Sequence, residues 1–137
     1  DLNLSNVSAI KVNPDELKCL TSASNIDGVK ILQKKGIENV ILTDKQNISL
    51  LSKNKIYFIT LPNLELVDTT GIGDIFCAAF CCTMLREKDI LWALSFGGGA
   101  AQAALESRQI GLEKIPSKGA IESNAYYFYN TVKFKEI

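Results

Sequence analysis

The stretch VDTTGIGD, residues 67–74, decides the fold of this sequence, because it joins an apolar run to a run with helical character. Gly71 and Gly73 permit positive φ angles and let a ligand approach bare backbone. The first N–H groups of a helix have no partner inside the helix, and the helix dipole adds partial positive charge there. A helix that begins at about residues 72–74 therefore predicts a site for an anion, and phosphate suits it best.

Asp74 would lie directly beside that anion. A carboxylate in this place repels a resting phosphate, which favours a chemical role as the general base that removes a proton from an attacking hydroxyl. A capping turn explains the same residues, because Asp and Thr are good N-cap residues and an acid in a first turn suits the dipole. The turn is not a Walker loop, since G-x-x-x-x-G-K is absent, and Phe76 replaces the third glycine of G-x-G-x-x-G.

Composition indicates a globular chain, predicted here as a single domain over residues 1–137. Apolar residues make up 47% and charged residues 22%, which is typical of a folded domain with a real core. Fifteen basic and fifteen acidic residues cancel, so charge gives no reason to expect binding to nucleic acid or to a membrane surface. No apolar run approaches a membrane span.

The four cysteines are predicted to be buried thiols. Three of them lie within the apolar run FCAAFCCTML, and free cysteine is among the most buried residue types. A zinc site normally needs a second cysteine or histidine pair, and the sequence has no histidine. Reduced thiols suit the cytoplasm, which is the predicted location.

The pattern on either side of the stretch alternates strands and helices, which predicts an α/β fold with a parallel crossover. The strands are predicted at 8–12 and 38–44, in a hairpin of 48–52 and 55–61, and at 64–67. The helices are predicted at 13–20, 25–36, 74–87, 89–107 and 118–132, with IGLEKIP (110–116) as a loop and the aromatic run YYFYN packed in the last helix.

The segment DTTGIGDIFCAAF resembles the C-terminal signature of the ribokinase-like (PfkB) carbohydrate kinases, D-T-T-G-A-G-D-x-F, from which only Ile72 departs. VNPDEL is similar to the family's N-x-x-E element, GIENVILT to the strand before its nucleotide site, and IGLEKIP to its closing glycine–proline segment. The resemblance covers residues 8–117. It implies a three-layer α/β/α sandwich, of which the chain carries the C-terminal, nucleotide-binding part without the N-terminal part.

The resemblance also implies roles for the turn. Asp74 corresponds to the catalytic base, which activates a substrate hydroxyl for attack on the γ-phosphate of ATP. The N–H groups of Gly71, Ile72 and Gly73 correspond to an anion hole for the charge that develops during transfer. Ile72 stands where the family has alanine, and its bulk is expected to crowd the pocket.

Further residues match the family's ligand positions. Asn13 and Glu16 would place Mg²⁺ and phosphate through water, although an ordinary helix start explains NPDE as well. Asp68 and Thr70 match positions that bind a monovalent cation in some members, and Asp68 is equally explained as a turn carboxylate.

Two segments depart from the family pattern. The family's T-x-G-x-x-G loop lies along the nucleotide, but after Thr43 this chain has Lys45 and Ile48 at the glycine positions, which puts nucleotide binding in doubt. The run SFGGGAAQAAL has Gly98 where members often carry an asparagine near adenine. These glycines either admit an adenine ring or allow tight helix packing.

The function expected from the resemblance is ATP- and Mg²⁺-dependent phosphoryl transfer to a hydroxyl of a sugar or small polyol. The chain alone, lacking most sugar contacts, is expected to bind nucleotide weakly and to phosphorylate little. The alternatives are a nucleoside kinase of the same family and a degenerate module that binds nucleotide without catalysis. A merely structural domain, forming a homodimer through apolar surface, is a third alternative.

Overall fold

The structure is a computed structural model that describes residues 3–62, 69–87, 89–107 and 109–137. It divides into two compact units, one of residues 1–60 with 133–137 and one of residues 61–132. The predicted strand at 64–67 and the candidate ligand Asp68 lie outside the described residues. In the part of the chain that the structure describes, no helix combines the length and the apolarity needed to cross a bilayer.

The first unit is a five-stranded sheet with two helices. Its strands are β1 (Ala9–Val12), β2 (Asn39–Asp44), β3 (Asn47–Ser52), β4 (Lys55–Thr60) and β5 (Lys133–Glu136), and they lie in the order β1-β2-β3-β4-β5. The helices are α1 (Pro14–Thr21) and α2 (Asn25–Lys34). β1 pairs parallel with β2, and the remaining neighbours are antiparallel, which confirms the predicted crossover and hairpin.

The core of this unit forms where the apolar faces of both helices meet β2. Helix α2 buries Val29 and Leu32, which lie three residues apart and therefore share one face. β2 buries its first three residues, Asn39, Val40 and Ile41. The buried cluster consists of Val12, Leu17, Val29, Leu32, Ile37, Val40, Leu51 and Ile56.

Strand β5 was not expected from the sequence. All four of its residues are exposed, so it has no buried face for a hydrophobic alternation to reveal. The Phe134 ring lies 6.0 Å from that of Tyr57, and the Lys55 ammonium lies 5.0 Å above the Phe134 ring. Its pairing covers the edge of β4, whose backbone groups would otherwise be open to another chain.

The second unit consists of helices α3 (Ile72–Glu87), α4 (Ile90–Glu106) and α5 (Lys118–Thr131). These agree with the predicted helices to within two residues at each end. The Asp89 carboxylate accepts hydrogen bonds from the N–H groups of Leu91 and Trp92, which fixes the start of α4. The segment predicted as a loop at 110–116 contains a 3-10 turn, Gly111–Lys114.

Helix α4 packs tightly against both of its neighbours through glycine. A Cβ at Gly97 would lie 2.8 Å from the Phe76 ring of α3. A Cβ at Gly99 would lie 2.7 Å from the backbone oxygen of Ile121 in α5. Both distances are shorter than van der Waals contact, so at these two positions the glycines permit close helix packing.

The prediction that the cysteines are core thiols is wrong for three of them. Cys19, Cys81 and Cys82 are exposed, and Cys77 is half-buried. Helix α3 turns Phe76, Phe80 and Thr83 to the interior instead. Those residues lie at i, i+4 and i+7 on one helix face, and Cys81 and Cys82 fall outside it.

The aromatic run of α5 is only partly packed. Phe128 is buried, whereas Tyr126 and Tyr127 are 59% and 64% exposed. The Trp92 ring of α4 lies 5.1 Å from the Tyr126 ring and 5.7 Å from the Tyr129 ring. Tyr126 and Tyr129 therefore form a surface aromatic group with Trp92.

Candidate active site

The turn before α3 has a positive φ angle at Gly71 but not at Gly73, which already lies inside the helix. Gly71 has φ of +80°, a conformation that glycine adopts without steric cost. The N–H of Ile72 donates to the Thr69 carbonyl at 3.2 Å and closes a tight turn. The N–H of Ile75 then donates to the Gly71 carbonyl at 3.0 Å, the first bond of the helix. Helix α3 begins at Ile72, within the predicted range of 72–74 and two residues before the helix predicted at 74–87.

The same bonds show which N–H groups the turn presents to a ligand. Ile72 uses its N–H within the turn. The N–H groups of Gly73 and Asp74 precede the first intrahelical bond, and helix geometry leaves such groups for caps, water or ligands. An anion at this helix end would therefore bind first to the N–H groups of Gly73 and Asp74. To bind the N–H of Ile72 as well, it would have to compete with the Thr69 carbonyl.

Asp74 lies in the first turn of α3 and is exposed. Its side chain borders a cleft of about 360 Å³ whose other walls are almost entirely apolar. These walls are formed by Ile75, Ala78, Ala79, Cys82, Phe96, Ala100, Ile115, Pro116 and Ile121. A carboxylate at the border of an apolar cleft can accept a proton from a polar group held beside it.

Asn13 and Glu16 form a capping box at the start of α1. The Glu16 N–H donates to Asn13 Oδ1 at 2.8 Å, and the Asn13 N–H donates to Glu16 Oε2 at 2.9 Å. This arrangement is the ordinary helix start that the sequence left open. It also orients Glu16, whose second oxygen, Oε1, lies outside the box.

Thr43 lies beside Asn13 at one edge of the sheet. Val12 pairs with Leu42 in parallel strands, so the next residues, Asn13 and Thr43, both follow the carboxyl ends of these strands. The Thr43 hydroxyl lies 3.5 Å from the Val12 carbonyl oxygen. Ligands of α/β proteins bind preferentially at such an edge.

The nucleotide loop of the family is replaced by a tight hairpin turn. β2 ends at Asp44 and β3 begins at Asn47, which leaves two residues in the turn. Lys45, at the first missing glycine, has φ of +55°. Ile48, at the second, is 3% exposed and packs in the sheet. The backbone here forms a two-residue hairpin connection without glycine.

The candidate residues therefore fall into two groups, each within its own unit. Asn13, Glu16 and Thr43 belong to the first unit, and residues 70–74 to the second. Gly98 is buried in α4 between the two glycines that pack closely. Among the described residues, no three His, Cys, Asp or Glu side chains are grouped closely enough to hold a metal ion.

Lys114 was not predicted from the sequence as a residue of the site. This lysine is 3% exposed, and its Nζ lies 3.5 Å from the Thr70 carbonyl oxygen. The sequence showed only a lysine between Glu113 and Ile115, in a segment regarded as a loop. Nothing local distinguishes such a lysine from a solvated one, because its burial depends on contacts with a turn more than forty residues away.

Comparison with known proteins shows the family to which the chain belongs. Residues 1–117 match the model of the pfkB family carbohydrate kinases. A ribokinase from Haemophilus influenzae is 29% identical over 126 residues, which cover 80% of this chain and 41% of the relative. A ribokinase from Bacillus subtilis is 38% identical over 65 residues, which cover 47% of this chain and 22% of the relative.

Solved structures show the same fold. The ribokinase of Thermotoga maritima superposes with a TM-score of 0.79 at 22% identity, over 90% of this chain and 43% of that one. The Arabidopsis thaliana ribokinase complexed with ribose and ATP gives 0.78 at 24% identity, over 89% of this chain and 42% of that one. The chain thus has part of the ribokinase fold and spans about two fifths of the length of these ribokinases. With a family match over residues 1–117, the chain belongs to the pfkB family of carbohydrate kinases.

Proposed function

We propose that this protein takes part in phosphoryl transfer from ATP to a hydroxyl of a sugar or related small polyol, with Asp74 as general base. The observation that carries the proposal is the turn at residues 69–74. It combines a left-handed Gly71, N–H groups at the start of α3 and the exposed carboxylate of Asp74 in the first turn of that helix. Family membership supports the reaction class.

In this proposal Asp74 accepts the proton of the substrate hydroxyl as its oxygen attacks the γ-phosphorus. The bond from that phosphorus to the bridging oxygen of the β-phosphate breaks, and ADP leaves. General-base assistance of this kind is worth about 10²–10⁴ in rate. The N–H groups of Gly71 and Gly73, that of Ile72 once its bond to the Thr69 carbonyl is shared or broken, and the dipole of α3 would stabilise the charge on the transferred phosphoryl group.

Magnesium fits the first unit through Glu16. The capping box holds this carboxylate by Oε2 at the carboxyl edge of the parallel strands, and Oε1 would accept a hydrogen bond from a magnesium-bound water. Mg²⁺ usually keeps several waters and binds few protein carboxylates. Asn13 would orient Glu16, and Thr43 would contact the nucleotide. The metal would neutralise charge on the phosphates.

The test compares the chain with Asp74→Asn, using MgATP and a panel of sugars and polyols. Asparagine keeps the shape of the side chain but accepts no proton. We expect MgATP to bind Asp74→Asn as tightly as the original or more tightly, because a negative charge beside the phosphates is removed. We expect any turnover to fall by at least about 10².

Asp27→Asn is the matched control, because Asp27 is an exposed acid in the first turn of α2. It should change neither binding nor turnover. Equal turnover in Asp74→Asn and the original chain would refute the role of Asp74.

A degenerate nucleotide-binding module is a second candidate function. The hairpin turn at Lys45 and the buried Ile48, in place of a glycine loop, favour it. This candidate predicts MgATP binding that depends on the phosphates, so that adenosine binds far more weakly, with no transfer to any sugar. A nucleoside as the phosphorylated substrate would be detected by including nucleosides in the panel.

Location and assembly are further proposals. A cytoplasmic location is supported by four cysteines that form no disulfide, three of them exposed. A homodimer would use the exposed apolar side chains Ile110 and Leu112, which are 76% and 85% exposed. Sedimentation at several protein concentrations tests it.

A further inference from the structure

Lys114 is buried in a segment whose other residues are exposed, apart from the half-buried Pro116. Only 3% of Lys114 is exposed, whereas its neighbours Leu112 and Ile115 are 85% and 60% exposed. The polarity of this segment is thus inverted, with the charge inside and the apolar groups outside. Burying an ammonium group is unfavourable unless oxygen atoms replace its water, so this arrangement requires a specific partner.

One such partner is the backbone of the candidate active site. Lys114 Nζ lies 3.5 Å from the carbonyl oxygen of Thr70, an ion–dipole contact. Thr70 immediately precedes Gly71 and the helix start at Ile72. The residues after the lysine, Ile115 and Pro116, line the same cleft as Asp74. The ammonium is therefore attached to the turn that carries the proposed chemistry.

This contact acts on the N–H of Gly71 through the peptide unit that joins Thr70 to Gly71. The carbonyl of Thr70 and the N–H of Gly71 belong to the same planar trans peptide, so they point to opposite sides. A cation at the oxygen draws electron density away from the N–H and makes it a stronger donor. Lys114 on the carbonyl side of this peptide thus favours the binding of an anion on its N–H side.

A monovalent cation does not fit the Thr70 carbonyl in this chain. The sequence suggested such an ion at Asp68 and Thr70, and Asp68 lies outside the described residues. The Thr70 carbonyl already faces an ammonium group. A second cation on that oxygen would lie a few ångströms from the first, where like charges in a poorly hydrated site repel strongly.

We propose that Lys114 is a built-in cation for the turn at residues 69–74, which makes its anion binding independent of potassium or other monovalent ions. The inference rests on the proposed function, because the anion concerned is the phosphate of the nucleotide. Lys114 acts through the backbone of Thr70 and Gly71 and is therefore a positioning residue. It does not touch the reacting atoms.

The experiment measures MgATP affinity and thermal unfolding of the chain in potassium chloride and in tetramethylammonium chloride at equal ionic strength. Tetramethylammonium is too large to bind among carbonyl oxygens. For the original chain we expect the same affinity and the same Tm in both salts. A gain in either quantity when potassium replaces tetramethylammonium would overturn the proposal.

Two variants separate charge from packing. In Lys114→Ala we expect MgATP affinity to fall about 10-fold to 100-fold in tetramethylammonium, the usual loss for a charge-assisted contact. Potassium can enter the vacated space and should restore most of the lost MgATP affinity. Lys114→Met keeps the volume of the side chain without the charge, so it should lose affinity in both salts. Because Lys114→Met leaves no cavity, it still tests the role of the charge if the alanine variant does not fold.

The control and the unfolding data keep the outcomes distinct. Lys118→Met removes an exposed lysine of the same unit, whose side chain is 71% exposed, and should change nothing. If the original chain binds no MgATP in either salt, the proposed function loses its support. Tm then decides on Lys114 alone, since potassium should raise the Tm of Lys114→Ala but not that of the original. A Lys114→Ala variant that behaves like the original chain in both salts would overturn the inference.

Discussion

Replacing Gly99 by alanine tests how closely α4 and α5 pack. The added Cβ would lie 2.7 Å from the Ile121 carbonyl oxygen, 2.9 Å from the Ala125 nitrogen and 3.3 Å from the Ala125 Cα. Carbon contacts are most favourable at about 3.5–4.0 Å, so α5 would have to move by roughly 0.5–1 Å. All three atoms are backbone, and no side chain can rotate away to relieve the clash.

The magnitude follows from three opposing effects. Alanine is preferred to glycine inside a helix by about 1 kcal/mol, which stabilises the variant. Overpacking costs about 1–3 kcal/mol, and the upper end applies because the obstacle is backbone. Displacing α5 also weakens the bond from Asn124 Nδ2 to the Gly99 carbonyl, now 3.2 Å, by about 1 kcal/mol. We expect a net loss of roughly 1–3 kcal/mol.

Urea unfolding followed by Trp92 fluorescence measures this loss, because Trp92 lies on α4 and reports on the second unit. With a slope of about 1–3 kcal/mol/M, the midpoint should fall by roughly 1 M. Gly119→Ala is the matched control. Gly119 lies in the first turn of α5, and a Cβ there would meet no described atom within 4 Å beyond its chain neighbours. It should be neutral or stabilise by up to about 1 kcal/mol. A Gly99→Ala variant as stable as the control would refute the packing argument.

Three further predictions concern other parts of the chain. Asp89→Ala removes the cap of α4 and should lower the free energy of unfolding by about 1 kcal/mol. Asp89→Asn should retain most of the stability that the cap provides, because asparagine is also a good N-cap residue. Ser52→Ala removes the hydroxyl that donates to Asn39 Oδ1 at 2.8 Å; it should cost about 1–3 kcal/mol in urea unfolding, because a buried oxygen loses its donor. A thiol reagent added to the folded chain should modify three cysteines quickly and the half-buried Cys77 slowly, and four equal rates would contradict the described exposure.

The parts of the fold that could be predicted depend on short-range physics. Asn13 was expected as an N-cap, Gly36 as the end of α2 and about residues 72–74 as the start of α3. The structure places a capping box at Asn13 and the first residue of α3 at Ile72. Helix α2 ends at Lys34, and Gly36 follows it with a φ of +101°. Each feature depends on a residue's own dihedral angles or on a hydrogen bond three or four residues away. Spacing along the chain is therefore enough to locate them.

The cysteines and β5 could not be predicted in this way. An apolar run such as FCAAFCCTML shows a helix but not which face meets a neighbour, because every face is nearly equally apolar. The structure buries the face with Phe76 and Phe80 and leaves Cys81 exposed. Strand β5 forms because an open edge of β4 accepts it, and its own exposed residues carry no pattern of burial.

The sequence by itself determined the turn at residues 69–74, the place of Asp74 at its helix start and the family to which the chain belongs. Only the tertiary structure showed that Gly99 permits the close packing of α4 and α5, and that the Lys114 ammonium lies beside the Thr70 carbonyl. The physical reason is the range of the interactions. Caps, turns and dipoles act over a few residues, whereas burial and electrostatic contacts depend on segments that meet only after the chain has folded.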